Sequence, residues 1–418
     1  MIKTINDYEL GQDRRKDFRL LTLAFLLFML YGMLHQFREG WYVADSYVTT
    51  LLAFSYLRNG FVSRGLVGTL FDILCRAVPP ALSYKGAVWF MWGINVLYFL
   101  SLLAFARWIL GKIRDCSAYR GAFWFTIFCF VFLVPTACVG NGALGRADLI
   151  QMVFGLLQVY LLVEMKNEWL TVPLTAVNVM FHEGYIIMTF CAVLIVIIYR
   201  ALNTEGKRGK YWTLFALHIA VLFAMSVLSL LGSRNAGNPE SYTEALGRAA
   251  ALQINGEVHW NLLYMMSGYA PQDAAVINDA WFVSEAVREL PFLLISFIPA
   301  FILIGKALIN LFREAGGKSL GTHITALLLG PVLIGVEFMV FCDYGRYILW
   351  LAFYFLIVFL SFAAMGDGGA SGSLSRSFVY TNVKAVLIVA LLMIYQPLPT
   401  SSFTFVSREL KWFYENRL

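Results

Sequence analysis

The chain has 418 residues, of which 60% are hydrophobic, 16% aromatic and only 14% charged, and its mean hydropathy is +0.69. A soluble domain carries roughly 25% charged and 45–50% apolar residues, so this surplus excludes a soluble core under a polar skin. The formal net charge of +6 falls in short clusters between apolar runs with no basic stripe, which gives no support for a nucleic-acid partner. The expected fold class is all-α: a polytopic helical membrane protein forming one integral-membrane domain over residues 1–418.

Crossing roughly 30 Å of hydrocarbon takes about 20 mostly apolar helical residues. Such runs fall at about 20–36, 87–107, 122–140, 148–164, 168–182, 184–201, 211–232, 291–309, 322–341, 346–365 and 379–396, predicting about 11 transmembrane helices. The first follows Lys3, Arg14, Arg15, Lys16 and Arg19 and leads into His35-Gln36-Phe37-Arg38. It reads as an uncleaved span, not as a signal peptide with its small-residue cleavage site. The fifth run is short and polar at one end. Placing the N-terminus inside makes Lys and Arg about threefold denser in the cytoplasmic segments than in the external ones, and the inverted topology reverses that bias. An odd number of spans then puts the C-terminus outside.

Inner loops are short and basic, such as Gly111-Lys112-Ile113-Arg114 and Glu205-Gly206-Lys207-Arg208-Gly209-Lys210. The inner stretch Gly366-Asp367-Gly368-Gly369-Ala370-Ser371-Gly372-Ser373 has flexible-linker composition. Two outer loops are long, about 35–86 and about 233–290. Within the first, Tyr56 to Leu74 is too apolar for a solvated loop and too charged for a span, which suits helices lying in the interface plane. Cys75, Cys116, Cys129, Cys138, Cys191 and Cys342 lie far apart without metal-ligand spacing and read as buried thiols.

Ionisable groups at membrane depth are costly and mark functional sites by default. Here they gather on outer turns. Asp45, Arg58 and Arg64 lie in the first outer loop, and Arg146 and Asp148 in Gly145-Arg146-Ala147-Asp148. His182 and Glu183 occupy the turn between the fifth and sixth runs. Glu337 lies near the outer end of the ninth, followed by Asp343 and Arg346. The inner turns show only solvated Lys and Arg. Each residue has a plainer reading: Asp148 complements a helix N-terminus, Arg146 and Arg346 snorkel, His182-Glu183 caps a turn, and Glu337 pairs with Arg346. What the plainer readings explain poorly is the one-sidedness. His35, His259 and His323 are isolated, and His218 within the seventh run reads as an interhelical hydrogen bond. Most tryptophans fall at span ends as interfacial belts, with Trp260, Tyr264 and Trp281 as candidates to stack on sugar rings.

No GxxxxGK[ST] loop and no strand-borne GxGxxG occurs, so a nucleotide donor is unsupported. A donor activated beforehand and delivered through the membrane suits outer carboxylates and arginines together: a sugar on a polyprenyl phosphate or diphosphate. Arginines would hold the phosphate and stabilise the leaving group, and a carboxylate would deprotonate the acceptor hydroxyl. The inside N-terminus, the long first outer loop with an acid near its start, and the second long outer loop resemble the GT-C superfamily of integral-membrane glycosyltransferases. The chain is also similar to the bacterial envelope-polysaccharide polymerases and ligases. The first resemblance implies Asp45 as the catalytic acid position, with Asp148 or Glu183 as the second. The other implies Arg64, Arg146 and Arg346 as phosphate ligands. Together they imply glycosyl transfer from a polyprenyl-linked donor to a glycan or lipid-linked acceptor at the extracytoplasmic face of a bacterial inner membrane. Asp45, Asp148, His182 and Glu183 are the catalytic candidates, and Arg58, Arg64, Arg146, Glu337, Asp343 and Arg346 the binding ones. Asp45 stands singly between Ala44 and Ser46, so a divalent metal is without support and no cofactor is expected. A transporter or flippase of lipid-linked glycan, a non-catalytic assembly subunit and an outer-leaflet acyltransferase stay open as alternatives.

Overall fold

In a computed structural model the described residues are 10–39, 46–62, 64–79, 82–139, 144–182, 184–235, 239–252, 298–314, 318–340, 344–380 and 382–395. Their local sequence sets the helix ends. Ser83 accepts from the Gly86 amide at 3.2 Å and opens helix α5 (Tyr84–Lys112), and Asp115 accepts from the Ala118 amide at 2.6 Å and opens α6 (Cys116–Ala137). Ser55 caps the single turn α3 (Tyr56–Asn59), and Asp367 caps α15 (Gly368–Phe378) through the Ala370 amide at 2.7 Å. Such side-chain oxygens satisfy amides that the helix leaves orphaned. The other helices are α1 (Arg14–Glu39), α2 (Ser46–Ala53), α4 (Gly65–Ala77), α7 (Ala147–Glu164), α8 (Thr171–Phe181), α9 (Cys191–Asn203), α10 (Arg208–Asn235), α11 (Pro239–Ala251), α12 (298–314), α13 (Lys318–Val340), α14 (Tyr344–Ala364) and α16 (Asn382–Tyr395).

The described residues are 87% helical, with no strand among them. Five helices there are long and apolar enough to cross a membrane: Arg14–Phe37, α5, α6, α7 and Arg208–Ser229. A sixth is added if α14 and α15, bent at 118°, count as one span. The core is built around α6, which packs against α1, α5, α14, α15 and α16. Its phenylalanines interleave with theirs, Phe125 against Phe359 and Phe378, and Phe128 against Phe378. Gly121 permits the closest approach, because a Cβ there would run into the Leu374 carbonyl of α15. By contrast α1 and α10 present leucines and other apolar side chains outward, as lipid-facing helices do.

The turns segregate to two ends of the bundle. At one end Arg14 donates to the carbonyls of Gly111 and Ile113, Lys112 pairs with Glu164 at 2.6 Å, Lys210 with Glu168 at 2.8 Å and Arg376 with Glu314 at 2.7 Å. At the other end lie α2 to α4, the turns before α7 and after α8, and α11.

Several sequence readings need correction, among them that of Cys116, which is exposed while Cys75, Cys129, Cys138 and Cys191 are buried. The stretch from Gly368 to Ser373 is helix, not linker, because Asp367 caps it and its small residues fit against α6. His323 is not isolated: its Nε2 lies 3.0 Å from Asp367 Oδ1, both groups being buried. The end rich in Lys and Arg is therefore not merely solvated, since Glu168, Asp367 and His323 are all buried there. His218 Nδ1 donates to the Leu214 carbonyl of its own helix, and the ring also meets the Thr171 backbone of α8.

Candidate functional site

Tyr47, in the first turn of α2, is the hub of the second end. Its hydroxyl accepts from Arg64 Nη1 at 2.6 Å and lies 3.3 Å from His182 Nε2, while the Arg146 guanidinium sits 4.9 Å from the centre of its ring. Four segments far apart in sequence thus meet at one phenol. Arg64, Arg146 and His182 are buried, at 8%, 4% and 7% exposure.

Each partner is held by its local backbone. Arg64 precedes α4 with φ +58°, a left-handed conformation uncommon for a non-glycine residue. Gly65 follows because a Cβ there would meet the Tyr56 ring. Arg146 is the extended residue that starts α7, and Asp148 lies in that helix's first turn, buried, where a carboxylate complements the positive helix end. The turn before it is pinned by Asn95 of α5, whose Oδ1 accepts from the Gly145 amide at 2.8 Å and whose Nδ2 donates to the Ala137 carbonyl. Gly145, at φ +68°, has no room for a Cβ against Met91. Val48, Val88, Met91 and Leu144 form an apolar floor on which Tyr47 packs.

His182 ends α8 in extended backbone, and its carbonyl accepts from Gln151 Nε2 of α7. The Gly184 amide donates to His182 Nδ1 at 2.8 Å, which in the neutral ring places the proton on Nε2 and makes it the donor toward Tyr47. Below it, Gln158 ties α7 to α8, donating to Thr175 Oγ1 at 2.9 Å and accepting from Tyr185 at 2.8 Å and from Asn178 at 3.2 Å. This polar seam runs inward from the site, and Gln151 Oε1 and Asn178 Oδ1 have no hydrogen-bond partner among the described residues.

Of the sequence candidates, the structure brings together Arg64, Arg146 and His182, with Asp148 two residues on from Arg146. It sends Arg58 elsewhere. Arg58 Nε lies 2.9 Å from Asp72 Oδ1, and Arg248 Nη2 reaches the same oxygen at 3.2 Å. Arg76 Nη2 takes Asp72 Oδ2 at 3.2 Å, and Arg58 Nη1 continues to Glu244 at 3.1 Å. Burial works to raise the Asp72 carboxyl, but the hydrogen bond from Arg58 and the charges of Arg248, Arg58 and Arg76 outweigh it and hold it below its usual range. Asp45, Glu183 and Asp343 lie outside the described residues, as do the side chains of Glu337 and Arg346. Tyr47 and Asp72 escaped the sequence reading. An i, i+4 spacing of Asp72 and Arg76 was the available signal for one; for Tyr47 nothing distinguished it from an interfacial aromatic.

Two guanidinium groups, an imidazole and a carboxylate buried at one end of a membrane bundle suit an anionic ligand that reaches them from the interface. Among the described residues no three His, Cys, Asp or Glu side chains gather as a metal site. No family model matches the chain, and neither a curated protein nor a solved structure matches it.

Proposed function

We propose that the chain is an integral-membrane glycosyltransferase of about 11 spans that uses a polyprenyl-(di)phosphate-linked sugar at the extracytoplasmic face of a bacterial inner membrane. The observation that carries this is the convergence of Arg64, Arg146 and His182 on Tyr47 from three separate turns at one end of the bundle. In this reading Arg64 and Arg146 neutralise the departing phosphate, Tyr47 and His182 orient them, and Asp45, next in the chain to the start of α2, takes the acceptor proton. Asp148 or Glu183 serves as a second acid. The acceptor is a glycan or lipid-linked saccharide, and no cofactor is assigned. The grouping of turns at two ends supports an alternating topology with the N-terminus and basic turns inside.

The test is mass spectrometry of polyprenyl-linked saccharides and surface glycan in cells lacking the protein, restored with wild type, Asp45→Asn or Arg64→Gln. A precursor accumulating in the null and both variants, at wild-type protein levels, is expected. Unchanged precursor and glycan in all strains would overturn the reading.

One observation favours a second reading. The buried seam from Gln151 through Asn178 to Gln158, with two acceptors lacking partners, is the kind of polar path a transporter of lipid-linked glycan would use. In that case the precursor builds up on the cytoplasmic leaflet, which leaflet-selective oxidation of its sugar detects.

A further inference from the structure

Among the described residues, the ionic knot around Asp72 is out of charge balance. Three guanidinium groups, from Arg58, Arg76 and Arg248, face two carboxylates, Asp72 and Glu244. Asp72 is almost fully buried and already divides its two oxygens among three cations. Arg248 keeps only 11% of its side chain exposed, and its Nε and Nη1 have no hydrogen-bond partner among the described residues, which leave its charge poorly compensated. Arg76, with 57% of its side chain exposed, spends one nitrogen on Asp72 and turns the rest outward. The helix that carries Arg76 has a second unusual face. Leu70, Ile73 and Leu74 of α4 recur at helical spacing and are exposed, while Asp72 and Cys75 on the opposite side are buried. Excess positive charge flanking an exposed apolar stripe matches one kind of surface: a lipid chain with an anionic headgroup at its end.

The geometry points to a resident membrane phospholipid on α4, its phosphate held by Arg76 with Arg58 beside it and its chains along Leu70, Ile73 and Leu74. The site is distinct from the Tyr47 cluster. Asp72 lies eight residues beyond Arg64, the residue that precedes α4, a separation of about 12 Å along the helix axis. It stands whether or not that cluster transfers sugar. The bound lipid moors the first-loop helices at the interface and completes the knot that ties them to α11.

The protein is purified in an uncharged maltoside detergent and titrated with dioleoylphosphatidylglycerol, dioleoylglycerol or inorganic phosphate, reading thermal unfolding and lipid retained on repurification. Phosphatidylglycerol is expected to raise the unfolding temperature and to be retained, with neither effect from the other two probes. Arg76→Gln should weaken the lipid about tenfold, the scale of one charge-assisted contact, and Arg76→Lys should recover part of it. Folding survives in both variants because an exposed ion pair contributes little. Equal stabilisation by dioleoylglycerol would leave only an apolar patch, and equal stabilisation by inorganic phosphate would leave only a free-anion site. Unchanged lipid affinity in Arg76→Gln would overturn the assignment outright.

Discussion

Replacing Asp72 with asparagine removes the charge that three arginines share while nearly preserving shape. The contact from Arg76 is exposed and accounts for less than about 1 kcal/mol. Arg248 and Arg58 lose a buried partner, and breaking a buried pair from one side costs about 3–5 kcal/mol. That cost falls on the junction between α4 and α11, so it appears as local opening. Cys75 reports it: the thiol is 7% exposed, and burial raises its pKa above the usual thiol range. If alkylation proceeds through opening, its rate on the Cys75 peptide, followed by mass spectrometry, rises about 10²–10³-fold in Asp72→Asn. The deeply buried Cys129, Cys138 and Cys191 serve as internal references. A direct effect on the thiol is separable, because the charge of Asp72 raises the Cys75 pKa while that of Arg248 lowers it. Opening predicts faster alkylation in both Asp72→Asn and Arg248→Gln. Faster alkylation in the first and slower in the second would show electrostatics alone, and a change below about threefold in Asp72→Asn would refute the latch.

Other expectations follow from particular contacts. Tyr47→Phe deprives Arg64 and His182 of their shared oxygen and should lower precursor turnover by about 10–100-fold with little change in unfolding temperature, on the scale of a hydrogen bond to a charged group. Gly121→Ala should destabilise by about 1–3 kcal/mol in chemical or thermal unfolding, because its Cβ meets backbone. Gly111→Ala, with nothing within 4 Å, should be neutral or stabilise by up to about 1 kcal/mol. For Asp367, burial favours the neutral acid, but the His323 and Ala370 hydrogen bonds prevail and hold its carboxyl below the ordinary 3.8. A folded pKa below the unfolded one gives stability that is present above the unfolded value and lost as pH falls through the folded one. The unfolding temperature should therefore drop in acid below about pH 4, and Asp367→Asn should be less stable at neutral pH with a shallower acid fall.

The all-helical, membrane-spanning character is legible in hydropathy alone, although only five or six of the about 11 expected spans are long and apolar enough among the described residues. The alternation of apolar runs with turns of opposite character groups Arg64, Arg146 and His182 on one side, and they do meet. What hydropathy misses is where two chemistries overlap in one residue. Tyr47 is aromatic enough to pass for a belt residue, yet its hydroxyl organises two arginines and a histidine. Asp72 hides in an amphipathic stretch, and its third partner, Arg248, lies 176 positions away. The glycine- and serine-rich segment after Gly366 fails for a different reason. Composition that makes a free chain flexible also makes a helix slim enough to lie against α6, and one capping aspartate decides between the two.

The burial of α6 has a consequence for how the protein is made. Nearly every residue of α6 from Ala118 to Ala137 is buried inside the protein, and much of the cover comes from α14, α15 and α16. Those helices are translated about two hundred residues later, which at 5–20 residues per second is a delay of roughly 10–40 s. Throughout that interval the phenylalanine faces of α6 have no final neighbours and must be sheltered by lipid or by the insertion machinery. A ribosome that stalls before Tyr344 leaves a chain whose central helix still shows the surface meant for its last three partners, a ready signal for membrane quality control.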